Sequence, residues 1–291
     1  MRYLYYPGCS LKGTGKAYDE SLVAVFDKLG MDAKELPGWN CCGATAYMSV
    51  DETKAFALAA RNLALAEQEN GSDPIHLIAP CAACYLVLNK VQKYMAEYGH
   101  LREVIANSLK AVGLNYHGTV KVRHPLDVFV NDIGLDKIKA AVSHPLKGLK
   151  VASYYGCQVV RPYAEFDDQY NPQTMDQLMN ALGADAVDWP LKTRCCGGTL
   201  TGTVEEAGLR MSYILLKEAS KRGANIMATA CPLCQFNLEC YQGKMRGTFG
   251  DSIDLPVAFF TQIMGRAFGL EAKRIGLQRL FVPVKAAPAM A

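Results

Sequence analysis

The chain has 291 residues, 50% of them hydrophobic and 20% charged, with a formal net charge of +3. That balance suits a globular protein of two domains, and a small charge with no dense Lys/Arg run excludes a nucleic-acid surface. No apolar stretch approaches the roughly 18 residues of a membrane-spanning helix. The opening MRYLYYPGCS lacks the apolar core and cleavage site of a signal peptide, so the expected location is cytoplasmic.

In chain order, Arg2 to Tyr6 reads as a strand that delivers Cys9 past Pro7-Gly8. A polar loop, Ser10 to Gly15, leads to a helix over Ala17 to Leu29, with apolar residues at helical spacing and Gly30 as its stop. Lys34 to Leu36 is a short strand entering Trp39-Asn40-Cys41-Cys42-Gly43. Asp51 caps an Ala-rich helix expected to reach Asn70, with Gly71 behind it. The segment Pro74 to Ala79 contains the buried-strand pattern IHLIA and ends at Pro80-Cys81-Ala82-Ala83-Cys84, from which a helix continues to Tyr98. A helix over Leu101 to Val112, a strand over Val120 to His124 and a small helix over Asp136 to Ser143 complete the first half. The turn-rich His144 to Leu149 marks the boundary, giving domains 1–146 and 147–291.

The pattern then repeats. Lys150 to Tyr155 is a strand ending at Gly156-Cys157, and a helix spans Gln173 to Leu182 with Gly183 as its stop. The strand Ala186 to Trp189 enters Arg194-Cys195-Cys196-Gly197-Gly198. A helix covers Glu205 to Arg222, and the strand Asn225 to Ala230 ends at Cys231-Pro232-Leu233-Cys234, where another helix begins. Pro256 to Phe268 and a loose Pro/Ala tail follow. Corresponding cysteines lie about 150 residues apart, a domain-sized period rather than a solenoid repeat. Alternating strands and helices imply an α/β fold: two pseudo-symmetric repeats with short, mostly parallel sheets flanked by helices. The cysteines fall just after strands or at helix starts, the functional edge of such sheets.

Eleven cysteines without a secretory context point to metal or redox chemistry rather than disulfides. Ten fall into two sets of five: Cys9, Cys41, Cys42, Cys81 and Cys84, then Cys157, Cys195, Cys196, Cys231 and Cys234. A Cys-x-x-Cys at a strand-to-helix junction sets two sulfurs about one turn apart, near the positive end of the helix dipole. Adjacent cysteines in a regular strand would diverge, so Gly43 and Gly197-Gly198 supply the irregular backbone. Five thiolates exceed the four of structural zinc and the usual four of a cubane 4Fe-4S cluster. The count suggests an unusual iron–sulfur cluster. A four-cysteine site with one structural cysteine, or zinc in one site, also satisfies the spacing.

The segments YPGCS (6–10), WNCCGA (39–44), PCAACY (80–85), YYGC (154–157), CCGG (195–198) and CPLCQFNL (231–238) resemble the duplicated cysteine-rich CCG domains of the heterodisulfide reductase B-subunit family. The resemblance covers nearly the whole chain. It implies two noncubane 4Fe-4S clusters, one on each set of five cysteines, and reduction of a disulfide of the coenzyme M–coenzyme B type. It also implies two partners, the iron–sulfur C-type subunit and the flavoprotein A-type subunit of such a complex. Gln158 departs from the histidine that follows the second lone cysteine in many members. CCG domains also resemble electron-transfer subunits of lactate- and glycolate-oxidising, sulfur-oxidising and succinate/fumarate-type complexes, the alternative reading. A relay that passes electrons to a partner or a quinone is a third.

The chain has no C-x2-C-x2-C run and no G-x-G-x-x-G, so electrons must come from another protein. Lys12, Lys16 and Arg161, shortly after the lone cysteines, are candidates for holding an anionic substrate, or are solvated loop charges. His124, after a predicted strand, is a candidate proton donor or a structural histidine. Trp39 and Trp189 are expected to shield the cysteines from water, and Cys240 to be a small buried hydrophobe.

Overall fold

Tyr-Leu-Tyr at Tyr3–Tyr5 is buried along its whole length, as a strand covered on both faces requires. This is β1 of the first of two sheets in the computed structural model, which describes residues 2–44, 46–70, 75–284 and 290. With β2 (Ala33–Glu35), β3 (Ile75–Ile78) and β4 (Val120–Arg123) it forms a four-stranded sheet in the order β2-β1-β3-β4. β5 (Lys150–Tyr154), β6 (Asp185–Ala186), β7 (Ile226–Thr229) and β8 (Val257–Phe259) form a second, in the order β6-β5-β7-β8. Every pairing is parallel, with Tyr3 opposite both Ala33 and His76 in the first sheet and Val151 opposite Ile226 in the second. The expected α/β fold with two like repeats is therefore present.

The chain divides into two compact units. The first comprises Met1–Lys12 and Met31–Pro125, the second Gly13–Gly30 and Leu126–Ala291. In the first unit the helices Glu52–Asn70 and Ala82–Glu97 pack on the sheet, and Gly99–Lys110 packs on those two helices. Asp51 starts the first of these, its Oδ1 accepting the Lys54 N–H at 3.0 Å. The stop expected at Gly71 and the start of the IHLIA strand at Pro74 lie outside the described residues, as does most of the Pro/Ala tail.

In the second unit the helix Lys16–Leu29 ends at Gly30, which takes the left-handed conformation (φ 65°). Tyr18 on this helix stacks on Phe259 at 4.4 Å between ring centroids, and Ser21 shares a 2.6 Å hydrogen bond with Thr261. Thr261 belongs to the helix Phe260–Ala267, so the unassigned stretch 256–268 is β8 followed by a helix. Val128–Gly134, also given no element from its sequence, is a π-helix that packs Phe129 against Phe26 and Phe260. The strand expected over Ala186 to Trp189 is shorter and ends at Ala186. Trp189 leaves it to bury its indole and donate to the Ser153 carbonyl at 3.0 Å.

Glu239 is a buried carboxyl on the helix Pro232–Cys240. It accepts from the Gln235 amide and the Val282 N–H. Burial pushes its pKa up from 4.5 to about 7. Between those two values the folded protein keeps a proton that the unfolded chain has released, so stability falls as pH rises through that window. Glu239→Gln is expected to remove this slope, stabilising the protein above pH 7 by up to about 3 kcal/mol and changing little below pH 4.5. Thermal unfolding of both proteins from pH 4 to 8 checks this; parallel profiles would contradict it.

Candidate metal centres

Each cysteine set is gathered at the carboxyl ends of parallel strands. Past β1, Gly8 turns the chain at φ 67° and Cys9 follows; past β5, Gly156 does the same at φ 70° and Cys157 follows. Past β3 and β7, Cys81 and Cys231 stand at the N-caps of the helices Ala82–Glu97 and Pro232–Cys240. The second Cys of each pair, Cys84 or Cys234, lies in the first turn, and Pro232 takes an early position where no N–H is needed. The CCG turns follow β2 and β6, and their glycines are left-handed: Gly43 at φ 74°, Gly197 at 101° and Gly198 at 55°. A Cβ on Gly43 would meet the Ala55 backbone at 3.0 Å, and one on Gly197 the Gly208 backbone at 3.0 Å. Only glycine combines that φ with that closeness.

Five sulfurs converge in each unit, in the same order. Cys9 contacts Cys41 at 3.7 Å, Cys41 contacts Cys42, Cys42 contacts Cys84 at 3.2 Å, and Cys84 contacts Cys81. In the second unit Cys157 contacts Cys195, Cys195 contacts Cys196, Cys196 contacts Cys234 at 3.5 Å, and Cys234 contacts Cys231. The CxxC pair and the second cysteine of each CCG turn are buried. The lone cysteine and the first of the CCG turn form the open side: Cys9 and Cys41 are exposed, Cys157 and Cys195 half-exposed. The order and the burial were not legible in the spacing.

So many thiols in contact cannot ionise together, and they divide the charge. Hydrogen bonds from Cys41 and Cys84 hold Cys42 well below the ordinary thiol range, while the bonds to Cys42 and then Cys81 push Cys84 well above it. In the second unit hydrogen bonds from Cys157 and Cys196 hold Cys195 down at about 2. Cys157, bonded to Cys195, is pushed up, and Cys196, also bonded to Cys195, rises to about 11. Backbone N–H groups aim at the sulfurs in both units: Gly43 at Cys41, Ala44 at Cys42, Gly197 at Cys195 (3.4 Å) and Gly198 at Cys196. Such groups favour negative sulfur.

A scaffold of buried polar groups fixes the turns. Tyr6 and Tyr154 occupy equal positions three residues before the lone cysteines. Their hydroxyls donate to the carbonyl just before each Cys-Cys pair, Asn40 at 2.8 Å and Arg194 at 2.6 Å. Burial, reinforced by the nearby cysteines, pushes both phenols upward, so they remain donors. Asn62 clasps the Asn40 backbone at both N–H and carbonyl, and Ser212 donates to the Cys196 carbonyl at 2.7 Å. Asn237 donates to Gly198 O at 2.8 Å and to Cys196 Sγ at 3.5 Å. Sequence reasoning assigned no role to these residues; superposing the two repeats signals the tyrosines.

The other candidates are placed as follows. Lys12 is exposed and ion-paired with Glu35 at 2.8 Å, and Lys16 is an exposed residue at the start of its helix. Arg161 donates to the Thr193 carbonyl, two residues before Cys195, and its charge acts on that sulfur. His124 is buried, with Nε2 at 3.2 Å from the Pro80 carbonyl and its ring edge-on to Tyr85. Trp189 is buried, whereas Trp39 is half-exposed and bonded to Glu35. Cys240, expected to be buried, is half-exposed because it closes the last turn of a short helix.

Among the described residues no group of three or more His, Cys, Asp or Glu is set around a single metal ion. The fit of an iron–sulfur cluster rests on donor chemistry: five soft sulfurs, backbone N–H groups directed at them, and space kept by glycine. Cβ atoms on Gly8 and Gly156 would lie 3.0 and 3.1 Å from Cys84 Sγ and Cys234 Sγ.

Fold and site together define a protein of two like α/β units, each closing five cysteines at a sheet edge. Residues 3–89 and 151–239 match the family model of the CCG cysteine-rich domain, which implies iron–sulfur clusters. The chain belongs to the duplicated CCG-domain family that includes the B subunits of heterodisulfide reductases. It is 33% identical to the 8-methylmenaquinol:fumarate reductase membrane anchor subunit of Wolinella succinogenes, over 94% of this chain and 95% of that one. It is 30% identical to the B subunit of the ferredoxin/F420H2-dependent CoB-CoM heterodisulfide reductase of Methanosarcina acetivorans, over 94% and 91%. A crystal structure of a hypothetical protein from Helicobacter pylori shares the fold, with a TM-score of 0.75 at 16% identity, over 97% of this chain and 52% of that one. Among the described residues no helix is long and apolar enough to cross a membrane.

Gly8→Ala is expected to cost about 1–2 kcal/mol from the left-handed backbone and, in addition, to displace Cys84 and empty the first centre of metal. Gly113→Ala, at φ 73° with nothing near its Cβ, carries only the backbone cost. Metal content of the two variants separates the effects; equal retention would contradict the cradle.

Proposed function

We propose that the chain is the catalytic iron–sulfur subunit of a heterodisulfide reductase-like complex. It would reduce a small disulfide in one-electron steps at two noncubane 4Fe-4S clusters. Cys9, Cys41, Cys42, Cys81 and Cys84 would hold one cluster, and Cys157, Cys195, Cys196, Cys231 and Cys234 the other. The observation that carries this reading is the convergence of five sulfurs in each unit, in one order, with the same two on the open side. A bound cluster supplies one-electron chemistry. A disulfide takes up two electrons and two protons; its S–S bond breaks and two S–H bonds form. Two such centres match the electron count. The electrons come from partners, for which an iron–sulfur C-type subunit and a flavoprotein A-type subunit are the candidates.

The chain's own residues bind and position. Burial of Cys42, Cys84, Cys196 and Cys234 keeps water from one side of each centre. Arg161, beside Cys195, is suited to hold an anionic group of the substrate. Lys12 and His124 are engaged, with Glu35 and the Pro80 carbonyl, and His124 receives no role. A cytoplasmic location is part of the proposal. The identity with the menaquinol:fumarate reductase subunit favours one second reading, an electron-transfer subunit that performs no disulfide chemistry.

A viologen-linked assay on the anaerobic protein decides between them. Disulfide-dependent oxidation is expected, with Cys196→Ala at least tenfold slower. Full rate in that variant contradicts the two-centre reading. No disulfide-dependent oxidation with both clusters intact favours the electron-transfer subunit.

A further inference from the structure

The two centres match in ligands and backbone donors but not in what surrounds them. Three residues past the CxxC pair, the second unit has Asn237 and the first has Val87, both buried. Asn237 Nδ2 donates to Cys196 Sγ at 3.5 Å, while Val87 carries no side-chain N–H to donate. The amide is held in that orientation: Thr201 Oγ1 donates to its Oδ1 at 2.9 Å, and its own second bond goes to the Gly198 carbonyl. The residue before the Cys-Cys pair is Arg194 in the second unit and Asn40 in the first. Arg161 adds a second positive charge near Cys195, and among the described residues neither arginine is ion-paired. In the first unit Lys12 is neutralised by Glu35, which also accepts from Trp39. The cation at that turn is Arg61, which donates to Gly38 O at 2.9 Å and Asn40 Oδ1 at 2.7 Å. Arg61 is the counterpart of Arg161, so the second unit's excess charge is Arg194 and its added sulfur donor is Asn237.

We infer that the two centres are built to be unequal, and that the second unit's centre accepts an electron at the higher potential. The inference rests on the proposed pair of clusters. One-electron reduction adds negative charge to a cluster and its sulfurs. An N–H donated to a ligand sulfur, or a cation nearby, favours the reduced form. Greater exposure of Cys9 and Cys41 works in the opposite direction, favouring charge on the first centre. It concerns only the two outer sulfurs, whereas the Asn237 bond is made where water is excluded and is not screened. A chain that has received one electron therefore holds it in the second unit. Asn237 is a positioning residue: it acts through Cys196.

The test is an anaerobic redox titration followed by EPR, with signals assigned in Cys84→Ser and Cys234→Ser, each lacking one complete ligand set. In the wild type the second unit's signal is expected to appear first. Asn237→Val, which gives the second unit the first unit's residue, is expected to lower that midpoint alone. A tenfold change in the reduced-to-oxidised ratio at fixed potential, about 59 mV for one electron, is the expected shift. Arg194→Asn, a solvent-facing change, shifts it less in the same direction and carries the test if Asn237→Val fails to load its cluster. Equal midpoints, the reverse order, or no shift in a loaded Asn237→Val overturns the inference. A wild-type protein with one cluster or none overturns the functional reading beneath it.

Discussion

Five thiols in mutual contact cannot all become thiolates without a positive counter-charge. That constraint governs both units. Among protons alone the sulfurs compromise: in the second unit Cys195 ionises while Cys157, Cys196 and Cys234 hold their protons. Bound iron would remove the conflict, because every sulfur could then be anionic, and its binding would be accompanied by proton release. The chain prepares for that charge with helix N-termini and with backbone N–H groups in the CCG turns.

The parallel sheet makes this convergence possible. Its strands all end on one edge, so residues distant in sequence, such as Cys42 and Cys84, meet without a long loop. Glycine then lets the backbone come close enough, with Gly8 and Gly156 facing a cysteine sulfur and Gly43 and Gly197 facing a neighbouring backbone. Tyr6 and Tyr154 fix the turns from beneath by one hydroxyl bond each. The duplication is thus physical as well as textual, and Asn237 and Val87 mark a place where the copies differ beside their cysteines.

Much of this was legible in the sequence, for physical reasons. A buried parallel strand is a short apolar run, so IHLIA and the segment ending at Tyr154 declared themselves. Helix stops at Gly30 and Gly183 followed from the left-handed backbone each adopts. Other features were hidden because they depend on partners. The apolar face of Lys16–Leu29 announces burial but does not name Phe259 and Thr261 as what covers it. The π-helix at Val128–Gly134 has no propensity signal. The CPLCQFNL segment showed its cysteines, but that Asn237 reaches Cys196 depends on how the CCG turn folds back over the helix.

The most direct measurement is iron, acid-labile sulfide and zinc, determined together on anaerobically purified protein and on Cys42→Ser and Cys196→Ser. About eight irons per chain, as two four-iron clusters require, with matching sulfide and about half of each lost in either variant, is the expected result. Stoichiometric zinc with little sulfide, or full iron in both variants, would contradict the assignment of one iron–sulfur cluster to each set of five cysteines.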